Sequence, residues 1–265
     1  MKRIHLFELE DFAWFPNWLR ICLTRLMVVM HKLLGSPADL VQLLSRALAH
    51  SETAAIVDLC SGSGGPMLEV YRTLKQQPGL SGLQLTLTDL YPNRDLATVM
   101  EGQGDAALRY DTQSVNATNV GPELRGVRTL VGSFHHMRPE VARCILQDAQ
   151  AKQQPICVYE ISDNSFPISL WWVPLPVTFL IALFITPFAR PLTVKQLFFT
   201  FILPIIPLCF AWDGAVSNAR TYTLSDMATL LEGLGADDYT WETGCIAGKA
   251  KKLYLLGLPN PRRFR

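Results

Sequence analysis

Hydrophobic and polar positions follow two different periods along this chain. After a proline-broken aromatic cluster, Phe12-Ala13-Trp14-Phe15-Pro16-Asn17-Trp18, residues 18–34 place apolar side chains at Trp18, Ile21, Cys22, Met27, Val28, Met30, Leu33 and Leu34. Arg20, Arg25, His31 and Lys32 interrupt them. This period predicts a basic amphipathic helix, which either lies in a membrane interface or packs on its own domain. Residues 37–50 predict a second helix, with Ser36 as its cap and Leu40, Leu43, Leu44 and Leu48 along one side. The pattern then shortens. Residues 54–57 form an apolar run ending at Asp58, and residues 83–89 alternate apolar and polar up to Asp89. Residues 109–115, 126–132 and 156–161 make further strands, the first of them weaker. Helices over 67–77 and 138–153 fall between them. A helix over 220–234 and strands over 239–243 and 252–258 close the chain.

Strands alternating with helices predict an α/β fold around a doubly wound, mostly parallel sheet. One block breaks the alternation. Residues 166–188 and 196–212 carry no charge, and Arg190 and Lys195 lie between them. The domain organisation expected is therefore a helical cap over 1–50, a ligand-binding domain over 51–163 and 213–265, and a hydrophobic helical hairpin inserted at 164–212. The sheet needs strands from both sides of the insertion, so the chain must return to the side it left, which excludes a single membrane span. A helix over 166–188 would be about 35 Å long and the second segment about 26 Å, so only the first reaches across a bilayer. Seven prolines interrupt the block, and a full hairpin would carry Arg190 and Lys195 to the far side, against the positive-inside tendency. Shallow or re-entrant insertion at a membrane is the favoured reading. A spanning hairpin and a soluble lid or homodimer surface stay open beside it.

Composition sharpens this only locally. The chain has 265 residues, 49% of them apolar, and a formal net charge of +1, which does not suggest nucleic-acid binding. The mean hydropathy of +0.18 is high because of the inserted block. The six cysteines are scattered without a metal-binding spacing, so neither a disulfide framework nor a metal site is expected. Glu8, Glu10 and Asp11 interrupt any leader-like apolar core. The basic tail Arg262-Arg263-Phe264-Arg265 offers charge to acidic lipid or has no role.

The chemistry concentrates after the first strand. Asp58-Leu59-Cys60-Ser61-Gly62-Ser63-Gly64-Gly65-Pro66 reads as a strand end, a glycine-rich turn and a helix start, which presents backbone N–H groups to a nucleotide-like ligand. A dinucleotide fingerprint would need a third glycine where Met67 stands, and no Gly-Lys-Ser/Thr ending marks a phosphate loop. Asp89, at the end of the next strand, is placed to accept hydrogen bonds from both hydroxyls of a ribose. Ser133-Phe134-His135-His136-Met137 follows the fourth strand, and a histidine there has a pKa range suited to taking a proton at neutral pH.

The turn resembles the first motif of class I S-adenosylmethionine-dependent methyltransferases, commonly D-L-G-C-G-T-G, with Cys60 in place of the first glycine. The resemblance covers roughly 54–161 and 220–258. It implies a Rossmann-like, seven-stranded sheet with an antiparallel edge strand and S-adenosyl-L-methionine (SAM) as cofactor. It further implies that Asp58, Cys60, Ser61, Gly62, Gly64, Asp89, Leu90, Asn116, Ala117 and Ser133 line the cofactor, and that His135 or His136 is catalytic. Asn116-Ala117 stands where the family often has Asp-Ala, so the acid is lost there. Segments ahead of the first strand often cover the pocket in this family, so Glu8, Asp11 and Trp14 either reach a ligand or belong to the surface and core. The function expected is methylation of a lipid-like or apolar small-molecule acceptor, on the cytoplasmic face of a membrane met through 166–212. The departures at Cys60 and Asn116 leave a non-catalytic binding or scaffold protein as the alternative.

Overall fold

A computed structural model describes every residue except Lys2, Ser63, Gln103, Ser165, Phe166 and 261–265, and the backbone but not the side chain of Asp95. The basic tail over 262–265, Ser63 of the glycine turn and Phe166 of the inserted block thus lie outside the described residues.

Two helices come first, α1 (Asn17–Leu34) and α2 (Ser36–Leu48), then the alternation begins. It runs β1 (Ala55–Asp58), α3 (Met67–Lys75), β2 (Gln84–Leu87), α4 (Arg94–Glu101), β3 (Leu108–Tyr110), β4 (Val127–Val131), α5 (Pro139–Ala151) and β5 (Ile156–Glu160). The inserted block holds α6 (Leu175–Ile185), α7 (Val194–Leu197) and α8 (Ile205–Arg220). α9 (Leu224–Leu231) and the strands β6 (Tyr239–Ile246) and β7 (Lys252–Pro259) complete the chain.

The seven strands form one sheet in the order β3-β2-β1-β4-β5-β7-β6. β1 to β5 are parallel, and β7 runs antiparallel to both β5 and β6. This is the Rossmann-like, seven-stranded mixed sheet expected. Period-two side chains separate its faces. Ile56, Cys157 and Tyr159 join one core with α2, α3 and α4. Val57, Ile156 and Val158 join another with α5 and α9.

Several boundaries differ from expectation, each for a local reason. The third strand stops at Tyr110 because the Asp111 side chain turns back to accept from Gln113 N at 2.9 Å. Ser36 does not cap α2. Gly35, at φ 77°, closes α1 and leads directly into α2, so that Ser36 is the first residue of the helix and not its cap. No helix spans 220–234. Arg220 ends α8, and α9 starts only after Thr223, whose hydroxyl accepts from Asp226 N while Asp226 returns a bond to Thr223 N. α4 was not expected; Asn93 caps it by accepting from Leu96 N at 3.1 Å.

The inserted block and the N-terminal helix share a core. Phe15, Leu19, Cys22, Leu23, Leu26 and Val29 pack with Ala182, Ile185, Ala189, Ile206, Cys209 and Phe210. Among the described residues no single helix is long and apolar enough to cross a membrane. One bent pair, Val194–Ile202 with Ile205–Arg220, turns by 78°.

Candidate functional site

The chain leaves β1 toward β2 on one side and later returns as β4 on the other. At such a switch point the connections diverge and leave a crevice beyond the carboxyl ends of the strands. Asp58 lies opposite Leu87 of β2 and Thr129 of β4, so the glycine turn and the segment after β4 form its two lips.

The turn lip is held by main-chain geometry. Cys60 has φ 55°, a left-handed conformation at the position where the resembled motif has glycine, and Gly62 (φ 52°) and Gly64 (φ 85°) share its sign. Apart from its chain neighbours, no described residue lies within 4 Å of where a Gly62 side chain would start, so the main chain is open to a ligand on that side. Ser61 fastens the turn to β2: its N–H donates to Thr88 O at 2.9 Å, and its hydroxyl donates to Asp58 O at 2.7 Å. Asp89 stands over the turn and accepts from Gly62 N at 3.0 Å and Tyr91 N at 2.9 Å, one bond to each carboxylate oxygen. Asp58 is buried beneath it, accepts from the Thr129 hydroxyl, and is pushed up to about 7 by burial.

Not every expected cofactor residue faces this crevice. Leu90 is exposed, and its carbonyl accepts from Ser114 Oγ. Asn116 folds back on Thr118, accepting from its N–H at 3.0 Å and its hydroxyl at 2.9 Å, while Ala117 is buried in the core with Val57 and Leu59. Ser133 is buried, and its hydroxyl makes no hydrogen bond with the described protein. His31 of α1 comes within 3.8 Å of where a Gly132 side chain would start, also with an unpartnered buried nitrogen. Burial lowers its pKa to about 4, so it is neutral.

The second lip is a polar cluster assembled from four parts of the chain. His135 is buried; its Nδ1 is 2.9 Å from Glu160 Oε2, and its own N–H donates to Glu160 Oε1 at 3.0 Å. Its Nε2 lies 2.6 Å from Ser217 Oγ and 3.6 Å from Glu8 Oε1. The half-buried His136 repeats the arrangement, with Nδ1 3.1 Å from Asp11 Oδ1 and Nε2 3.6 Å from Glu8 Oε2. At His135 we assign Nδ1–H to Glu160, which leaves Nε2 as a lone pair; at His136, Nδ1 lies between Asp11 Oδ1, which accepts, and Arg220 Nη1 at 3.2 Å, which donates, so either tautomer has a partner there. Arg220 ties the N-terminal segment down, reaching Glu8 Oε1 at 3.0 Å, Asp11 Oδ2 at 2.7 Å and Leu6 O at 2.7 Å. Arg3 donates to the carbonyls of His135, Met137 and Arg220. Burial raises Glu8 to about 7, against the pull of His136 and Arg220. Burial alone would raise Asp11 too, but hydrogen bonds from His136 and Arg220 hold it well below the usual carboxylate range.

Of the residues singled out in the sequence, Glu8, Asp11, His135 and His136 come together here. Trp14 does not; it lies on the surface. Arg220, Ser217 and Asp213 were missed because they extend the inserted block. Their spacing of four and three residues was the available signal, since it aligns them on one face of a helix. Asp213 uses that face to accept from Leu9 N at 2.6 Å.

No protein-family model matches this chain, and no curated protein matches its sequence. Among solved structures it is similar to LaPhzM at 13% identity and a TM-score of 0.47, over 85% of this chain and 55% of that one. It is similar to the methyltransferase domain of bacterial CtHen1-C at 8% identity and 0.48, over 85% and 97%. A third is NcsB1, an O-methyltransferase from neocarzinostatin biosynthesis solved with S-adenosylmethionine and 2-hydroxy-5-methyl naphthoic acid, at 14% and 0.46, over 86% and 60%. The chain spans about half the length of LaPhzM. Likeness at this level says nothing of activity.

Proposed function

We propose that this chain is a SAM-dependent methyltransferase that modifies an apolar acceptor at a membrane surface. The observation that carries this reading is the pairing of two unlike lips at one switch point: a glycine cradle under the Asp89 carboxylate, and buried imidazoles oriented by carboxylates after β4. The cradle fits the cofactor. Gly62 lets a ligand approach the main chain, and each Asp89 oxygen accepts one bond from the described residues, leaving lone pairs for two ribose hydroxyls.

When bound, SAM supplies an electrophilic methyl group on sulfur. This chain's residues place the acceptor in line with it, and alignment of this kind is the larger part of the rate enhancement asked of such a site. His135 or His136 would take the proton that the acceptor oxygen or nitrogen loses on methylation. His135 and His136 are therefore the catalytic residues of this reading. Glu160 fixes the tautomer that keeps the His135 Nε2 lone pair available.

The apolar acceptor and the membrane rest on the inserted block. Val177, Phe184, Phe188, Val194 and Ile202 are well-exposed apolar side chains on this block. Arg190 and Lys195 beside them suit an anionic interface. Calorimetric titration of SAM and S-adenosylhomocysteine into detergent-solubilised protein tests the cofactor, with micromolar binding expected. Transfer of labelled methyl groups into a lipid extract tests the acceptor, and flotation with anionic vesicles tests the membrane. Folded protein that binds neither ligand would overturn the methyltransferase reading. Failure to float would overturn the membrane part alone.

A further inference from the structure

Glu8, His135 and His136 each bring one ligand atom into a common space, all within 4.8 Å of one another. We propose that these three residues bind a divalent first-row cation, with zinc the best fit. Two imidazoles and one carboxylate are a recurrent donor set for a zinc that retains an open position. Each Nε2 lies 3.6 Å from a different Glu8 oxygen, and one donor atom from each residue fits within 4.8 Å, against about 3.4 Å between ligands of a tetrahedral ion at zinc bond lengths, so the side chains must close by up to about 1.4 Å.

The surroundings support the assignment independently. Histidines that ligate a metal almost always donate their other N–H to a carboxylate or carbonyl, which fixes the tautomer and strengthens the ligand. His135 has such a partner in Glu160, and His136 has one in Asp11, whose oxygen shares its Nδ1 with Arg220. Arg220 fixes the Glu8 and Asp11 carboxylates from the side. The ion would take over the His135 lone pair that the Ser217 hydroxyl now uses at 2.6 Å.

The consequence rests on the methyl-transfer reading. With three protein ligands, the ion's fourth position accepts the acceptor's oxygen and lowers its pKa, so that the proton is lost to water before attack. The acceptor class is then a hydroxyl compound, and the imidazoles activate it through the ion.

Metal binding is tested without methyl transfer. Full-length, detergent-solubilised protein stripped with chelator is dialysed against Zn2+, and separately against Co2+, and its metal content is measured. One ion per chain is expected, with visible cobalt bands of four-coordination and no near-ultraviolet thiolate charge transfer, which excludes the six cysteines. His136→Ala, at a half-buried position, and Glu8→Gln should each weaken binding by about 100-fold or more, and Asp11→Asn by about 10–100-fold. Ser217→Ala should retain the ion. Circular dichroism checks folding, and His136→Ala decides alone if Glu8→Gln does not fold. Substoichiometric binding, binding that survives in both ligand variants, or a thiolate-type cobalt spectrum would overturn the site. Protein that takes up one zinc but binds no SAM overturns the methyl-transfer reading instead.

Discussion

The two lips of the crevice solve the same problem in opposite ways. The turn lip is nearly continuous in sequence, the turn after Asp58 with Thr88 to Tyr91 beside it and contacts from Tyr110 and Thr129, and it is held largely by backbone dihedrals and hydrogen bonds to the main chain. The other lip draws Arg3, Glu8 and Asp11, then His135 and His136, then Glu160, then Asp213 to Arg220, and it is held by buried side-chain charge. The first kind of site leaves a short signature, because a backbone that needs positive φ needs particular residues at adjacent positions. The second leaves none, because the fold supplies the spacing. Their failures should differ too: the turn lip should lose ligand before stability, and the charged lip should lose both together.

The strongest way to break that contrast is Arg220→Met. Arg220 is buried and answers two carboxylates and a carbonyl. Removing one partner of a buried ion pair costs about 3–5 kcal/mol, because the remaining charges are left uncompensated. Urea unfolding should show a loss of that size, partly restored when Glu8→Gln is combined with it. A loss under about 1 kcal/mol would mean that charge does not hold this lip together.

The same contrast explains what was legible in the sequence. β1, the glycine turn and Asp89 followed from spacing alone, and the sheet from the alternation of strand and helix. Glu8 and Asp11 stood out as unusual acids but had no visible partner, since Arg220 lies more than two hundred residues away. Arg220 itself was assigned to the wrong helix. Its helix period continued across a chain break that only the Thr223–Asp226 cap reveals. Asn116-Ala117 fitted a family position, yet its side chains serve an Asx turn and the core, because β3 ends early and the chain curls.

Two carboxylates sharpen the comparison through pH. Asp11, among cations, is held low, whereas Asp58 has no cation beside it and is raised to about 7. Folded protein therefore binds the Asp58 proton more tightly than unfolded protein does. That contribution to stability is complete below about pH 4 and is lost as pH rises through about 7. Asp58→Asn cannot titrate, so the difference between wild type and variant should fall between pH 5 and 7.5 by on the order of 1–3 kcal/mol. Equal slopes in urea unfolding would place an ionised Asp58 in the fold.

Asp89→Ala tests the turn lip's ligand role. Its carboxylate is half-exposed and makes two main-chain bonds, so stability should change by about 1 kcal/mol or less. Losing the acceptor for two ribose hydroxyls should weaken SAM and S-adenosylhomocysteine by about 10–100-fold in calorimetry. Unchanged affinity with intact folding would remove Asp89 from the cofactor's contacts.

The smallest expected effect is the most specific to backbone. Cys60 adopts φ 55°, which costs a residue with a Cβ roughly 1–2 kcal/mol and glycine almost nothing. The thiol is not needed as a nucleophile, since burial and the nearby Asp89 and Asp58 charges push it up to about 12. Cys60→Gly restores the residue found in the resembled motif. Two terms oppose the gain: glycine has more freedom in the unfolded chain, worth up to about 1 kcal/mol, and the side chain's contact with the core is lost. A net stabilisation of about 0.5 kcal/mol is expected in urea unfolding, with cofactor affinity unchanged. A net loss above about 1 kcal/mol would show that Cys60 is retained for packing that outweighs its strain. The turn lip would then depend on side chains as the other lip does, and the division between a backbone-built and a charge-built half would not hold.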